Sequence, residues 1–418
     1  MQRSMVEAGP IITFSAKFIK KVSQMLASPF AKLTKSIDGS AKVAEESLKL
    51  VEKVVESSSN SDKRVESEES KGGDVVEEEM EIVGSTVSDT IATSAKVEVP
   101  IIDVSALISP GSSLEEKKVV ALAMGKACEE VGFFIITGHG VPSLLIEEAW
   151  NATRDFFDLS DEEKLKYKRP QAEYPFGFND LGQEVLSAGK AAQTGAAGNI
   201  SPPDLKEMFS LGPSDPQAGF PERIFPVQPT NFEDAWTNYY DTMAHLASQL
   251  FVGFALALDL PDPESFFSKF TSHHASALRA LNYPHLDSYD AVPGQLRASA
   301  HTDYGAFTIL RSDAPGLQVS KDKSPPSWHD VPYVKDGFVV NLGDLMQRWT
   351  DDVWLSTLHR VVNPPAGDSA DTRRQSIAFF HNLDRDAVVE VLNSNEPKYA
   401  PIVAGDFLMQ KHLASIPE

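Results

Sequence analysis

The stretch AHTDYGAFTILRSDAPGLQV, residues 300–319, decides the fold of this chain. It consists of short apolar segments separated by Gly, Pro and Asp, and the same pattern recurs in GFVVNLGDL, HRVVNPP and RRQSIAFFHN. Short strands at this spacing, with turn residues between them, are typical of an all-β sandwich or barrel. From Leu278 onward the sequence therefore predicts a β-rich core.

The same stretch carries a candidate metal site. His301 and Asp303 lie two residues apart, and residues i and i+2 of an extended chain point to the same face. His359, 56 residues after Asp303, lies in a second strand pattern, STLHRVV, and can supply a third ligand from a neighbouring strand. Two imidazoles and one carboxylate on one face of a metal suit non-haem Fe(II), because the opposite face stays open.

A second pair of side chains lies just before the apolar run IAFF. Arg374 and Ser376 are two apart on a predicted strand and therefore share a face. A guanidinium fork and a hydroxyl match the far carboxylate of a dicarboxylic keto acid. Strict alternation places His381, on the same strand, on the opposite face from Ser376, although a bulge would reverse that orientation.

The part of the chain before Leu278 has a mixed α and β pattern. VPIIDVSALI and GFFIITGHG read as apolar strands, and helical periodicity covers residues 113–130 and 231–259. Ser160 precedes Glu163 by three residues, which predicts a helix start. Residues 174–230 show little periodicity, and a loop of that length inside a domain is usually functional or disordered.

We expect residues 174–211 to form a lid or a pocket wall. The candidate wall residues are Phe176, Phe178, Leu186, Lys206 and Phe209. Lys206 could pair with a substrate carboxylate, or with Asp204 or Glu207 in a local ion pair.

Residues 1–96 differ in composition from the rest. Residues 57–81 contain Ser, Glu, Asp, Lys and Val without any aromatic residue, which predicts disorder. The first 37 residues are basic and rich in Ser and Ala, a weak organelle-targeting signature. We expect a cytoplasmic protein, with a plastid or mitochondrion as the alternative.

The overall composition narrows the class of protein. The formal net charge of −22 argues against a nucleic-acid partner, because phosphate would be repelled. The single cysteine, Cys128, excludes disulfides within the chain and is typical of a reducing compartment. No apolar run reaches the roughly 18 residues of a membrane span.

From about Val97 to its end, the chain resembles the Fe(II)/2-oxoglutarate-dependent dioxygenases, in particular the subgroup similar to isopenicillin N synthase. The segments that carry the resemblance are VPIIDVSALI, VGFFIITGHGVP, ALRALNYPHLDSY, AHTDYGAFTILRSDAPGLQV, FVVNLGDLMQRWTDDVWLSTLHRVVNPP and RRQSIAFFHN. It implies an α+β fold with a double-stranded β-helix (jelly-roll) core and flanking helices. The corresponding division is an extension at residues 1–96, a mixed region at 97–270 and the jelly roll at 271–418.

The resemblance implies that the three candidate metal ligands bind Fe(II). It also implies a keto acid site formed by Arg374, Ser376, Tyr283 and Asn282. The cosubstrates would be 2-oxoglutarate and O2, with ascorbate as a stimulating reductant. The implied partner is a small organic molecule, and we expect the protein to be a monomer.

The implied reaction oxidises a C–H bond of that molecule by hydroxylation, desaturation or ring closure, with release of succinate and CO2. Specialised or hormone-like metabolism is the expected setting. Two alternatives stay open on the sequence. One is an oxidase similar to isopenicillin N synthase or the amino-cyclopropane oxidases, which keep the Arg-x-Ser pair without consuming 2-oxoglutarate. The other is a jelly-roll binding protein without turnover.

Overall fold

The structure is a computed structural model that describes residues 97–168, 176–186, 202–285, 291–322, 325–365 and 372–414. Contacts divide the chain into Met1–Thr90 and Ile91–Glu418, and every described residue belongs to the second unit. The predicted disorder and the targeting signature of residues 1–96 therefore lie outside the described residues. Within the described ranges, no helix combines the length and apolar composition that a membrane crossing requires.

Seven α-helices are described, and side-chain caps mark the start of two of them. They are α1 (Ser105–Ile108), α2 (Leu114–Glu130), α3 (Ser143–Phe157), α4 (Asp161–Leu165), α5 (Phe232–Ala257), α6 (Asp344–Trp349) and α7 (Ala404–Ala414). Ser113 caps α2 in a reciprocal capping box with Glu116. The Ser160 side chain accepts from the Glu163 backbone N–H at the start of α4, as the sequence predicted. The two periodic stretches in the sequence correspond to α2 and α5.

Fourteen strands are described, and they form three sheets. The strands are β1 (Ile101–Asp103), β2 (Phe133–Thr137), β3 (Gly177–Asn179), β4 (Glu207–Leu211), β5 (Ala277–Tyr283), β6 (Ala298–His301), β7 (Phe307–Ser312), β8 (Leu317–Ser320), β9 (His329–Asp330), β10 (Phe338–Leu342), β11 (Leu358–Val361), β12 (Arg374–His381), β13 (Val388–Val389) and β14 (Ile402–Val403). The larger sheet has the order β1-β2-β10-β7-β12-β5-β4-β3, and the smaller has the order β6-β11-β8-β9. β13 and β14 form a separate pair.

The eight-stranded sheet is covered on both faces. One face packs against the helices, and α5 contributes Trp236, Leu250 and Phe254 to that core. The other face meets the four-stranded sheet through a smaller apolar core that includes Phe133 and Val319. Two facing sheets with helices on the outside confirm the predicted jelly-roll core with flanking helices.

β3 and β4 lie within the stretch that showed little periodicity in the sequence. β4 pairs with β5 over its whole length, and β3 pairs with β4. β5 supplies the hydrogen-bond partners for the backbone of β4. The strand therefore forms although its Gly- and Pro-rich surroundings do not predict one. Strands from both sides of residue 271 therefore share one sheet, so the expected division there marks a change of local pattern within that sheet.

Candidate active site

His301, Asp303 and His359 meet between two neighbouring strands of the smaller sheet. His301 ends β6 and pairs directly with His359 of β11, so the ladder fixes their register. Oδ1 of Asp303 lies 3.9 Å from Nε2 of His301 and 3.7 Å from Nε2 of His359. One candidate ligand atom from each residue lies within 4.8 Å of the other two, so the three atoms can meet at one ion.

Backbone carbonyls orient both imidazoles. Nδ1 of His301 donates to the carbonyl of Ser299 at 2.8 Å, and Nδ1 of His359 donates to the carbonyl of Thr357 at 3.0 Å. A carbonyl can only accept, so each Nδ1 carries a proton, and in the neutral imidazole Nε2 is then the nitrogen with the lone pair. This tautomer directs both Nε2 atoms at the point where a metal would bind.

The carboxylate of Asp303 is held by one oxygen only. Oδ2 accepts from Oγ1 of Thr308 and from Nδ2 of Asn341, both at 2.6 Å. This leaves Oδ1, the oxygen that approaches the two imidazoles, as the metal-facing atom.

The protonation states of these side chains also suit metal binding. Burial, and then the neighbouring His359, lower the pKa of His301 to about 3. Burial raises the pKa of Asp303, but the two imidazoles and the hydrogen bonds from Thr308 and Asn341 outweigh burial and lower it overall. At neutral pH, His301 is uncharged and Asp303 is ionised, which are the forms that bind a divalent cation.

Arg374 lines one cavity with His301, Asp303 and His359, and its guanidinium has few hydrogen-bond partners among the described residues. It is 1% exposed, and its Nε donates to the carbonyl of Ala314 at 3.2 Å. Both terminal nitrogens, Nη1 and Nη2, are buried without a hydrogen-bond partner among the described residues. A buried guanidinium with two unused donors is costly unless a ligand supplies the acceptors, and a carboxylate would do so with both oxygens.

Ser376 and Tyr283 lie beside Arg374. Tyr283 of β5 pairs directly with Arg374 of β12, and the guanidinium carbon lies 5.0 Å from the centre of the Tyr283 ring. Ser376 and Tyr283 line a cavity of about 210 Å³ together with Arg374 and the three candidate metal ligands. The structure therefore brings six of the seven expected site residues to one cavity.

Asn282 is the exception, and the expectation that it lines the site needs correction. Its Nδ2 donates to Oε1 of Glu207 at 2.7 Å, and its oxygen accepts from Nε of Arg373 at 2.8 Å. Side chains alternate along a strand, so the neighbour of the inward-facing Tyr283 points to the opposite face of β5.

The expected pocket wall is also only partly correct. Leu186 and Lys206 line the cavity. Phe178 and Phe209 instead pack against Phe156 in the helix-side core, and Phe176 contacts Phe220. The residues of β4 that share the cavity-side face with Leu281 and Arg279 are their partners Met208 and Ser210.

The predicted local ion pair of Lys206 is present in part. Its Nζ lies 2.9 Å from Oδ2 of Asp204 and 2.9 Å from Oε2 of Glu184. Glu207, the other predicted partner, pairs with Lys164 instead, at 2.7 Å.

Most of the other cavity residues were not predicted from the sequence, and the polar or helix-borne ones among them include Glu184, Arg279, Asn382, Leu408 and His412. Alternation along β5 was a usable signal for Arg279, because that residue shares a face with Tyr283. Leu408 and His412 belong to α7, and no local pattern indicated that this helix borders the cavity. His381 packs among Phe251, Phe307 and Phe379, on the face that strict alternation predicted.

A jelly roll with two histidines and one carboxylate facing a shared point defines a class, the non-haem iron oxygenases. Comparison with known families agrees. Residues 275–383 match the model of the 2OG-Fe(II) oxygenase superfamily, and residues 99–232 match that of the non-haem dioxygenase in morphine synthesis N-terminal region.

Individual relatives cover most of the chain. The 2-oxoglutarate-dependent dioxygenase caaD of Aspergillus niger is 33% identical, over 76% of this chain and 94% of the relative. The homoarginine-6-hydroxylase 2-ODD-233 of Oryza sativa subsp. japonica is 30% identical, over 76% of this chain and 97% of its own length. A full-length Neurospora crassa protein, solved with alpha-KG and thymine, superposes with a TM-score of 0.66 at 28% identity, over 76% and 96% of the two chains.

The chain belongs to the 2OG-Fe(II) oxygenase superfamily. It is an oxidoreductase that uses Fe(II) and 2-oxoglutarate and acts on small substrates. This result contradicts the alternative of a jelly-roll binding protein without turnover.

Proposed function

We propose that this enzyme hydroxylates a C–H bond of a small organic molecule in specialised metabolism, with conversion of 2-oxoglutarate and O2 to succinate and CO2. The observation that carries the proposal is the buried guanidinium of Arg374, which borders the cavity and whose two terminal nitrogens have no hydrogen-bond partner in the part of the chain that the structure describes. The relatives support hydroxylation in particular, because one of them is named as a homoarginine hydroxylase.

Each site residue has a role in this proposal. His301, Asp303 and His359 hold Fe(II), and Asn341 and Thr308 keep one oxygen of Asp303 directed at it. Arg374 and Ser376 bind the far carboxylate of 2-oxoglutarate, and Tyr283 borders the same carboxylate. When bound, the iron supplies the oxidative chemistry that splits the keto acid and oxidises the substrate.

The remaining walls keep water away from the reaction. Much of the cavity lining is apolar, with contributions from Phe133, Leu281, Leu310, Leu317 and Val361. An apolar lining strengthens the charged contacts of Arg374 and limits side reactions with solvent. The protein thus orients the reactants and excludes water, while the cofactor carries out the oxidation.

The test is to add Fe(II) and 2-oxoglutarate without oxygen and then to follow succinate when oxygen and candidate substrates are admitted. A weak visible absorption band before oxygen, and succinate formation stimulated by a substrate, are the expected results. A product formed without succinate would instead favour an oxidase that spares 2-oxoglutarate. In that case Arg374 would bind the carboxylate of the substrate.

A further inference from the structure

A second group of charged side chains borders the cavity and has no part in the proposed binding of iron or 2-oxoglutarate. It consists of Glu184, Arg279 and Lys206. The side chain of Lys206 is 1% exposed and contacts both Asp204 and Glu184. Arg279 donates from Nε to Oγ of Ser210 at 2.9 Å, and its Nη1 lies 3.5 Å from Oε1 of Glu184.

Glu184 has capacity to accept a further hydrogen bond. Its Oε2 lies 2.9 Å from Nζ of Lys206 and its Oε1 lies 3.5 Å from Nη1 of Arg279, and a carboxylate has lone pairs for about four hydrogen bonds. Burial raises the pKa of Glu184, but the charges of Lys206 and Arg279 outweigh burial and lower it to about 2. The carboxylate is therefore ionised at neutral pH, and it can accept a hydrogen bond beyond its contacts with the two cations.

Arg279 offers the complementary group. Its guanidinium carries more N–H donors than its contacts with Ser210 and Glu184 use. It also lies 5.5 Å from the centre of the Phe380 ring, which borders the same cavity. A donor-rich guanidinium thus lies beside a carboxylate acceptor on one part of the cavity wall.

The charged side chains of this part of the cavity wall have a net charge of zero. Arg279 and Lys206 contribute two positive charges, and Glu184 and Asp204 contribute two negative charges. A ligand with net charge would add an uncompensated charge to a buried, balanced cluster, which is unfavourable. The wall is therefore suited to a ligand that is neutral overall and carries both a donor and an acceptor.

We propose that Glu184 and Arg279 form the substrate-recognition pair of this enzyme. Their substrate is a small molecule of zero net charge in which an N–H donor lies beside a carbonyl or carboxylate oxygen. The N–H group donates to Glu184, and the oxygen accepts from Arg279. Zwitterionic amino acids and neutral cyclic amides both present this chemistry. The inference rests on the proposed function, because it assigns the substrate class of the same cavity.

The experiment is calorimetric titration of the full-length protein loaded with Mn(II) and 2-oxoglutarate, so that binding is measured without turnover. The probes are neutral amino acids including L-proline, and cyclic amides including thymine. Two matched ligands lack the N–H group: cyclopentanecarboxylate, an analogue of proline, and 1,3-dimethylthymine. We expect at least one donor-bearing probe to bind about tenfold or more tightly than its matched ligand. Which of the two pairs responds distinguishes an amino acid from a cyclic amide.

The variant Glu184→Gln keeps the size of the side chain and removes its charge. We expect the variant to bind the responding probe about tenfold to hundredfold more weakly, because the acceptor has lost its charge. We also expect it to bind cyclopentanecarboxylate more tightly, because the two cations are then left with one fewer anion. Glu147→Gln, on the exposed side of α3, is the matched control and should bind like the wild type.

Three results would overturn the inference while the proposed function stands. The first is that neither donor-bearing probe is preferred, so that proline binds no more tightly than cyclopentanecarboxylate and thymine no more tightly than 1,3-dimethylthymine. The second is that no donor-bearing probe binds at all. The third is that Glu184→Gln leaves the affinities unchanged. The anaerobic absorption band of Fe(II) with 2-oxoglutarate separates the two proposals. If that band is absent, the proposed function itself fails, and the inference fails with it.

Discussion

At the scale of single residues, the guanidinium of Arg374 determines how tightly the proposed cosubstrate binds. Arg374→Ala removes a buried, bidentate contact between the guanidinium and a carboxylate, which makes the binding free energy less favourable by on the order of 2–5 kcal/mol. We expect the KM for 2-oxoglutarate to rise by at least about thirtyfold. The measurement is succinate formation as a function of 2-oxoglutarate concentration.

A matched control is Arg360→Ala, because that guanidinium lies over Trp328 at 4.1 Å and does not line the cavity. It should retain the KM of the wild type. An unchanged KM in Arg374→Ala would show that another cation binds the keto acid.

Asn341 acts on the metal through Asp303. In Asn341→Ala the Oδ2 atom loses one of its two donors, so the carboxylate can rotate and present its free oxygen less consistently. We expect Fe(II) affinity to fall about tenfold to hundredfold, as for other residues that orient metal ligands. Metal titration of the metal-free protein measures it, with Asn238→Ala on the exposed surface of α5 as the control.

At the scale of secondary structure, β12 shows what a sequence can reveal. Its period of two separates Arg374 and Ser376, which line the cavity, from His381, which lies in the core. The same rule applied to β5 separates Tyr283 from Asn282. The error at Asn282 arose because alternation was not applied to that strand.

Other features could not be read from the local sequence. Phe178 and Phe209 are buried in the helix-side core because β4 pairs with β5, a partner far along the chain. No short-range pattern encodes that pairing, and the same holds for the position of Glu184 beside Arg279. The position of α7 at the cavity likewise depends on contacts distant in sequence, such as the ion pair of Lys411 with Asp344 at 2.7 Å.

His381, on the core face of β12, should make stability depend on pH. Burial lowers the pKa of His381 well below its ordinary value of 6.5. Above pH 6.5 neither state binds the proton. Below it, only the unfolded state does, so the free energy of unfolding decreases as the pH falls, by at most about 1.4 kcal/mol per pH unit from this group.

His381→Gln keeps an acceptor for Oγ of Ser276 and removes the titrating group. Urea unfolding of the metal-free protein between pH 8 and pH 5 should therefore give a flatter dependence in the variant. Equal slopes for variant and wild type would mean that His381 is protonated in the folded state as well.

At the scale of the whole molecule, every described residue that lines the cavity lies between Phe133 and His412. Removing residues 1–96 should therefore leave kcat and the KM for 2-oxoglutarate within about twofold of the full chain, as expected for changes remote from a site. Succinate assays on the two forms measure this. A large loss of activity would assign residues 1–96 a role in turnover.

The cellular compartment, the monomeric state and the absence of a nucleic-acid partner stay predictions from the sequence. Fluorescent fusions of the full chain and of residues 97–418 would compare their locations in a cell. A targeting function of the extension requires the two fusions to differ.

The strand order of the larger sheet has a consequence for how this protein emerges from the ribosome. β12 is the last long strand to be synthesised, yet it lies between β7 and β5 in the middle of the sheet. Until β12 has been synthesised, β7 and β5 each have an edge with unpaired backbone groups, and such edges promote aggregation of nascent chains. Synthesis that stalls before Arg374 should leave a chain that depends on chaperones, and the sheet can close only when translation is nearly complete.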